Sequence, residues 1–180
     1  MKKIFWKKLC SLLMIGAVTG GVMTGLQSTA VAAEVTVQEA DSITAELQKQ
    51  GGTILPIGAS NDGYAEYFTG KSYLANLSSE KRYPVFNVTF AHGAHTHWHI
   101  HHNSCQVLLP SSGRGYYQIW GKAPQVLLPG NSVTIPAEVK HWHGAAPGTS
   151  FQHIALMELG DDVSTEWFEA VAEDVFNSLK

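Results

Sequence analysis

Cysteine is scarce in this sequence, with only two among 180 residues, Cys10 and Cys105. Cys10 lies in an N-terminal segment that we expect to be removed, so the mature chain keeps Cys105 alone and forms no internal disulfide. The fold must then rest on a hydrophobic core, for which 180 residues in one domain are sufficient. We expect Cys105 to be a small buried side chain, with soft metal ligation as the alternative.

Charge is also sparse, since charged residues make up 15% of the chain and hydrophobic residues 44%. Four of the 12 basic residues lie in the N-terminal segment, and their loss leaves 8 basic against 15 acidic residues. Because no basic patch is present, we expect no nucleic-acid partner. Turn-forming residues are plentiful, with 17 glycines and 7 prolines spread along the chain, as an all-β protein requires.

Residues 1–32 have the organisation of a signal peptide. The basic start consists of Lys2, Lys3, Lys7 and Lys8. An apolar run follows, and Ala30-Val31-Ala32 offers a cleavage site. A membrane-spanning helix is the alternative, but the glycines, threonines and small residues of the run favour cleavage. We therefore expect export to the periplasm or the extracellular space, with no membrane contact after cleavage and no lipid anchor.

The remaining chain divides into an N-terminal extension at 33–63, a β-rich body at 64–160 and a C-terminal segment at 161–180. A short helix is predicted from Gln38 to Gln50, because Gly51-Gly52 follows it directly. In the C-terminal segment, apolar residues recur at helical spacing between Val163 and Leu179. This spacing predicts a helix packed on the outside of the body.

The β-rich body shows short alternating segments separated by turn residues. Predicted strands lie at Phe86–Phe90, Gln106–Leu109, Gly115–Trp120, Gln125–Leu128, Ser132–Ile135 and Phe151–Leu159. The predicted turns between them include Ser111–Gly113, Gly121–Pro124, Pro129–Asn131 and Ala146–Gly148. Many short strands with regular turns predict a sandwich or a barrel.

Histidine is concentrated in one stretch, because six of the nine histidines lie between Phe90 and Gln106. Four of them recur at every second position: His95, His97, His99 and His101. In an extended strand this period places all four on one face. Neutral imidazoles on a rigid backbone are metal ligands, whereas a solvated histidine-rich loop is the alternative. The distant His141-Trp142-His143, again at period two, favours the metal site.

The spacing of these histidines relative to glycine can be compared with a known pattern. Gly93 is followed by His99, His101, Gln106 and Gly113 as G-x5-H-x-H-x4-Q-x6-G, and Gly130 by Pro136 and His141 as G-x5-P-x4-H. The two segments resemble the motifs of the cupin superfamily, G-x5-H-x-H-x3–4-E-x6-G and G-x5-P-x-G-x2-H-x3-N. Gln106 replaces the usual Glu, Glu138 the usual Gly and Ala145 the usual Asn.

A narrower resemblance rests on Phe68-Thr69-Gly70, the W-H-x-H core, Gln106 and the run from Lys140 to Pro147. These are similar to the small bacterial cupins of the hydroxynitrile lyase-like group, and to cupins fused to carboxymuconolactone decarboxylase-like domains, over about Phe68–Glu158. The chain differs at His92 and His95, where the group has Pro and often Arg. The segment between His101 and Gln106 is one residue longer than in the lyases.

The resemblance implies an all-β fold, a double-stranded β-helix or jelly-roll barrel, with short N-terminal and C-terminal helices. It also implies one divalent transition metal per chain, with Mn(II) favoured and Fe(II) or Zn(II) as alternatives. The implied metal ligands are His99, His101, Gln106 and His141. His143 and His153 match histidines that line the group's substrate pocket, and we assign proton transfer to them. We expect His95, His97 and His102 to be structural or exposed.

Four neutral ligands would leave a dication its full charge, which makes it a strong Lewis acid. This favours lyase or isomerase chemistry on a small carbonyl or hydroxy compound, with cyanohydrin cleavage as the closest reaction. A metal-dependent dioxygenase and a non-enzymatic module that binds a metal or small ligand are the alternatives. We expect a small-molecule substrate as the partner and a homo-oligomer, a dimer or tetramer.

Overall fold

A computed structural model describes residues 3–4 and 26–180, with side chains from residue 38 onward. The strands in chain order are β1 (Lys3–Ile4), β2 (Ala59–Ser60), β3 (Phe68–Thr69), β4 (Ser72–Asn76), β5 (Val85–Phe90), β6 (His95–Thr96), β7 (His99–His102), β8 (Gln106–Gly113), β9 (Gly115–Ile119), β10 (Gln125–Leu127), β11 (Val133–Ile135), β12 (His141–Ala145), β13 (Phe151–Leu156) and β14 (Ser164–Trp167). The helices are α1 (Leu26–Gln50), a 3₁₀ turn (Asp62–Tyr67) and α2 (Glu173–Asn177).

The strands form two antiparallel sheets. One runs β1-β14-β7-β12-β6-β3, with β9 and β10 added beside β12, and the other runs β11-β8-β13-β5-β4-β2. The alternation in β5 places Phe86 and Phe90 in the core between the sheets, where they join Leu108 and Phe151. The predicted jelly-roll barrel is confirmed. Its core lies between the two sheets, one of which contains the histidine-bearing strands β7 and β12.

Helix α1 packs on the barrel through Ile43 and Leu47, which contact Tyr73. Glu46 accepts hydrogen bonds from the backbone N and the hydroxyl of Ser150 at 2.8 and 2.6 Å. The helix begins at Leu26, earlier than the predicted Gln38, and therefore crosses the proposed cleavage site. Of the predicted signal peptide, residues 1–2 and 5–25 lie outside the described residues. Neither described α-helix is long and apolar enough to cross a membrane.

The predicted C-terminal helix over Val163–Leu179 is wrong for most of its length. Ser164–Trp167 is strand β14, paired antiparallel with β7, and only Glu173–Asn177 is helical. The short strand S-T-E-W lies on the side of β7 opposite β12. Pairing of its backbone groups with β7 outweighs the helical spacing that Trp167 shares with later residues.

Strand β8 also continues through the predicted turn at Ser111–Gly113. Ser112 pairs with Gln152 of β13, and its hydroxyl donates to the carbonyl of Gly51 at 3.1 Å. The chain reverses only at Gly113 and Arg114, where Gly113 has a φ of +74°. The left-handed backbone needed for the reversal is available to glycine without strain.

Candidate metal centre

Three histidines from two neighbouring strands converge inside the barrel. His99 and His101 are alternate residues of β7, and His141 begins β12, where it pairs with His99. Their ligating nitrogens all lie within 4.8 Å of one another, and all three side chains are buried. The sequence prediction that these residues meet is therefore correct, because period two in β7 sends both of its histidines to the same face.

In each of the three rings, Nδ1 forms a hydrogen bond. The Nδ1 of His99 lies 2.9 Å from the carbonyl of His97, and that of His141 lies 2.9 Å from the carbonyl of Val139. A carbonyl oxygen only accepts, so both rings carry their proton on Nδ1 and leave a lone pair on Nε2. The Nδ1 of His101 lies 3.0 Å from the hydroxyl of Thr165 on β14.

Burial keeps these rings neutral. Loss of hydration lowers the pKa of His99 and His101 well below 6.5, and nearby His141 adds to both shifts. Burial lowers the pKa of His141 to about 4, against a hydrogen bond to Val139 that opposes the shift. Three neutral imidazoles near pH 7 can share one cavity without repulsion, and neutral imidazole is the form that ligates metals.

Gln106 at the start of β8 approaches the three histidines from the opposite sheet. Its Oε1 lies 3.1 Å from Nε2 of His141, and only 4% of the side chain is exposed. Because Nε2 carries a lone pair, two acceptor atoms face each other there. Cis ligands at roughly 2.1 Å from a common metal lie about 3 Å apart, so the spacing fits a shared cation. The donor set of three imidazoles and one amide oxygen suits a first-row divalent ion.

A small cavity of about 60 Å³ opens beside His99, His101 and Gln106. Its polar lining comes from His99, His101, Gln106, His143, Thr96, Asn61 and Tyr64. The remaining walls are Phe68, Leu74, Phe86, Val88, Ala155 and Trp167. No Lys or Arg side chain is among these lining residues. The cavity thus combines one polar end with an apolar body, the usual design of a small-molecule site.

The two histidines assigned to proton transfer occupy different positions. His143 lines the cavity, whereas His153 is fully buried and contacts the His143 ring at a centroid distance of 4.9 Å. His153 is packed between Phe90 and Phe151, with both centroids at 5.7 Å. Burial lowers the pKa of His143 well below 6.5 and that of His153 to about 4. Of these two histidines, only His143 is in contact with the cavity.

The backbone of His143 is fixed by a residue that the sequence reading missed. The hydroxyl of Thr96 accepts a hydrogen bond from the backbone N of His143 at 3.1 Å. Trp167 of β14 was also missed, and its ring covers His99 at a centroid distance of 4.7 Å. The stretch S-T-E-W has a single apolar residue and no alternation, so no local pattern distinguished this strand from the helical spacing of Trp167 and Val171.

His95 and His97 do not join the metal centre, although the period-two pattern placed them on its face. The strand breaks at His97 and Trp98 between β6 and β7, and His95 stacks on Phe176 of α2 at 3.9 Å. His97 is partly exposed. Both therefore match the expectation of structural or exposed roles. Cys105 is exposed, contrary to the expectation of a buried side chain.

Glu138 occupies the place of the glycine in the second motif and keeps a glycine-like backbone, with a φ of +64°. Its carboxylate lies 2.5 Å from Nδ1 of His102 and accepts from the backbone N of Asn103 at 2.9 Å. These bonds offset the left-handed conformation, which costs roughly 1–2 kcal/mol for a non-glycine residue. Glu138 thereby ties the loop after His101 to the segment before His141.

Known proteins of similar structure and sequence place this site in a family. The cupin-like protein of Thermotoga maritima superposes with a TM-score of 0.60 and 34% identity, over 69% of this chain and 94% of that one. The (R)-mandelonitrile lyase of Granulicella tundricola is 36% identical over 121 residues, which span 66% of this chain and 92% of the relative. The chain belongs to the cupin superfamily. Within this superfamily, the second relative supports the hydroxynitrile lyase-like group. No protein-family model matches the chain.

Proposed function

We propose that this cupin is a metal-dependent lyase that cleaves a small hydroxy compound to a carbonyl compound, with cyanohydrin cleavage as the closest reaction. The observation that carries the proposal is the convergence of His99, His101 and His141 beside a cavity with apolar walls. The relationship to a mandelonitrile lyase supports the reaction class. Isomerisation of a small hydroxy carbonyl compound would draw on the same groups.

The metal would be held by His99, His101, His141 and Gln106, one ion per chain, with Mn(II) favoured over Fe(II) or Zn(II). When bound, it supplies Lewis acidity towards a substrate oxygen or an anionic leaving group. The four ligands are all neutral, because burial keeps the imidazoles uncharged and the amide has no charge to give. The ligand set therefore preserves the full positive charge of the site.

His143 is the base in this proposal. It lines the cavity and is neutral near pH 7, so it can accept the hydroxyl proton of a cyanohydrin. As the O–H bond breaks, the carbonyl forms and the electron pair of the C–C bond leaves with cyanide. His143 then returns the proton to the anion as HCN. His153, which contacts His143 from the core, supports its ring without touching substrate.

The cavity walls indicate the kind of substrate. Phe68, Phe86 and Trp167 surround the space beyond the polar end, which suits an apolar substituent on the reacting carbon. Since neither Lys nor Arg contributes to the lining, a phosphate group would have no cationic side chain to pair with. We propose an uncharged small molecule with one hydroxyl or carbonyl group.

Turnover by metal-loaded protein tests the proposal. The protein is stripped with chelator, reloaded with Mn(II), Fe(II) or Zn(II), and assayed with mandelonitrile, aliphatic cyanohydrins and small hydroxy ketones. We expect turnover of at least one substrate that depends on metal and is lost in His143→Ala. Metal binding without turnover of any of these compounds would favour the non-enzymatic alternative.

The N-terminal pattern and the expected assembly are further parts of the proposal. Residues 1–32 would direct export and be cleaved after Ala32, giving a mature homo-oligomer outside the cytoplasm. N-terminal sequencing of protein from the periplasm or medium, and light scattering of that protein, test both points. A retained N-terminus and a monomeric mass would contradict them.

A further inference from the structure

The three metal-site histidines differ in the hydrogen-bond partner of their Nδ1 atoms. His99 and His141 each bond to the carbonyl two residues earlier in their own chain segment, at 2.9 Å. His101 bonds instead to a side chain 64 positions away, the hydroxyl of Thr165 at 3.0 Å. A carbonyl fixes the tautomer of its partner, but a hydroxyl can either accept or donate. The tautomer of His101 is therefore not set by a carbonyl of its own segment, but by the hydroxyl of Thr165 at Nδ1 together with the side chain of Gln106, which also hydrogen-bonds this ring.

The strand pairing places the hydroxyl of Thr165 beside the ring of His101. Thr165 is the direct cross-strand neighbour of His101 in the pairing of β14 with β7, so the two side chains lie on the same face of the sheet. Thr165 is 3% exposed, as is His101. The register is secured at the next residue, where Glu166 lies 3.0 Å from Nε2 of His102. A slip of one residue would turn Thr165 to the opposite face.

We propose that Thr165 is a positioning residue of the metal centre: its hydroxyl accepts the Nδ1 proton of His101 and so keeps Nε2 of that ring as the ligating nitrogen. This inference rests on the proposed role of His101 as a metal ligand. With the hydroxyl removed, the Nδ1 proton loses its bond to Thr165, and the tautomer with Nε2–H becomes competitive. That tautomer cannot ligate through Nε2 without first moving its proton.

Three variants distinguish the effect of the Thr165 hydroxyl on metal binding from the effect of side-chain packing. Thr165→Val keeps the branched shape and removes the hydroxyl, and Thr165→Ser keeps the hydroxyl. Thr134→Val makes the same change at an exposed position of β11 and serves as the matched control. Titration with Mn(II), followed by the signal of the free ion in electron paramagnetic resonance, gives a dissociation constant for each. We expect Thr165→Val to bind about 10- to 100-fold more weakly, with Thr165→Ser and Thr134→Val within about threefold of wild type.

A second measurement needs no metal. Long-range ¹H–¹⁵N spectra of the metal-free protein report which ring nitrogen of His101 carries the proton. We expect Nδ1–H in wild type and Thr165→Ser, and a shift towards Nε2–H in Thr165→Val. The inference is overturned if wild-type His101 carries its proton on Nε2, or if Thr165→Val binds Mn(II) as tightly as wild type. Wild-type protein that binds no metal would refute the proposed function, while the spectra would still decide the role of Thr165.

Discussion

Replacing His153 with leucine should protect the metal-free protein against acid. His153 is fully buried among Phe90, Phe151 and His143, and neither ring nitrogen has a hydrogen-bond partner of ordinary geometry within the described part of the chain. Burial lowers its pKa from 6.5 to about 4. The unfolded chain therefore binds this proton more tightly than the folded one, and stability is lost as the pH falls from about 6.5 towards 4.

The size of this loss of unfolding free energy follows from the lowered pKa of His153. Each pKa unit corresponds to about 1.4 kcal/mol, so the loss from this one group reaches about 2 kcal/mol at pH 5 and is close to zero at pH 7. Urea unfolding, followed by tryptophan fluorescence in the presence of chelator at both pH values, measures it. The quantity of interest is the loss of unfolding free energy between pH 7 and pH 5, because any change in packing caused by leucine cancels in this difference.

We expect that loss to be about 2 kcal/mol smaller in His153→Leu than in wild type. Met157→Leu, which changes a buried side chain that carries no titratable group, is the control and should keep the wild-type dependence. Equal losses of unfolding free energy in wild type and His153→Leu would refute the reasoning. They would mean that His153 binds its proton equally tightly in the folded and unfolded chains.

Two further predictions concern the cavity. Gln106→Glu should retain or tighten metal binding, because a carboxylate adds negative charge at the same position. It should also lower turnover, because the carboxylate neutralises part of the charge of the dication. Loss of metal in this variant would place Gln106 outside the ligand set. His143→Ala should reduce kcat by about 10²- to 10⁴-fold at unchanged metal content, measured by steady-state kinetics with mass spectrometry of the same samples, and a reduction of less than tenfold would remove its role as base.

Much of the barrel could be predicted because its signals are local. Alternation in Phe86–Phe90 and turn residues such as Pro129–Asn131 depend only on neighbours in sequence, and both correspond to observed elements or connections. The meeting of His99, His101 and His141 could also be predicted, because the resemblance to the two cupin motifs implies that these three positions share one metal site. Gln106 lies beside them for the same reason.

Tertiary contacts decided what could not be predicted. Trp167 shares a helical spacing with Val171, but its strand pairs with β7 and its ring covers His99. His95 was expected to be structural or exposed, but its partner could not be predicted: a break in the strand at His97 and Trp98 directs it to Phe176 of α2. Thr165 carries no local signal at all, because its role comes from a partner 64 positions away.

Metal content tests the central claim most directly. Protein purified without a histidine tag, as wild type and as the double variant His99→Ala with His141→Ala, is analysed by inductively coupled plasma mass spectrometry. The geometry of the three converging imidazoles predicts about one transition-metal ion per wild-type chain and almost none in the double variant. Equal metal content in the two proteins would contradict the assignment of the site.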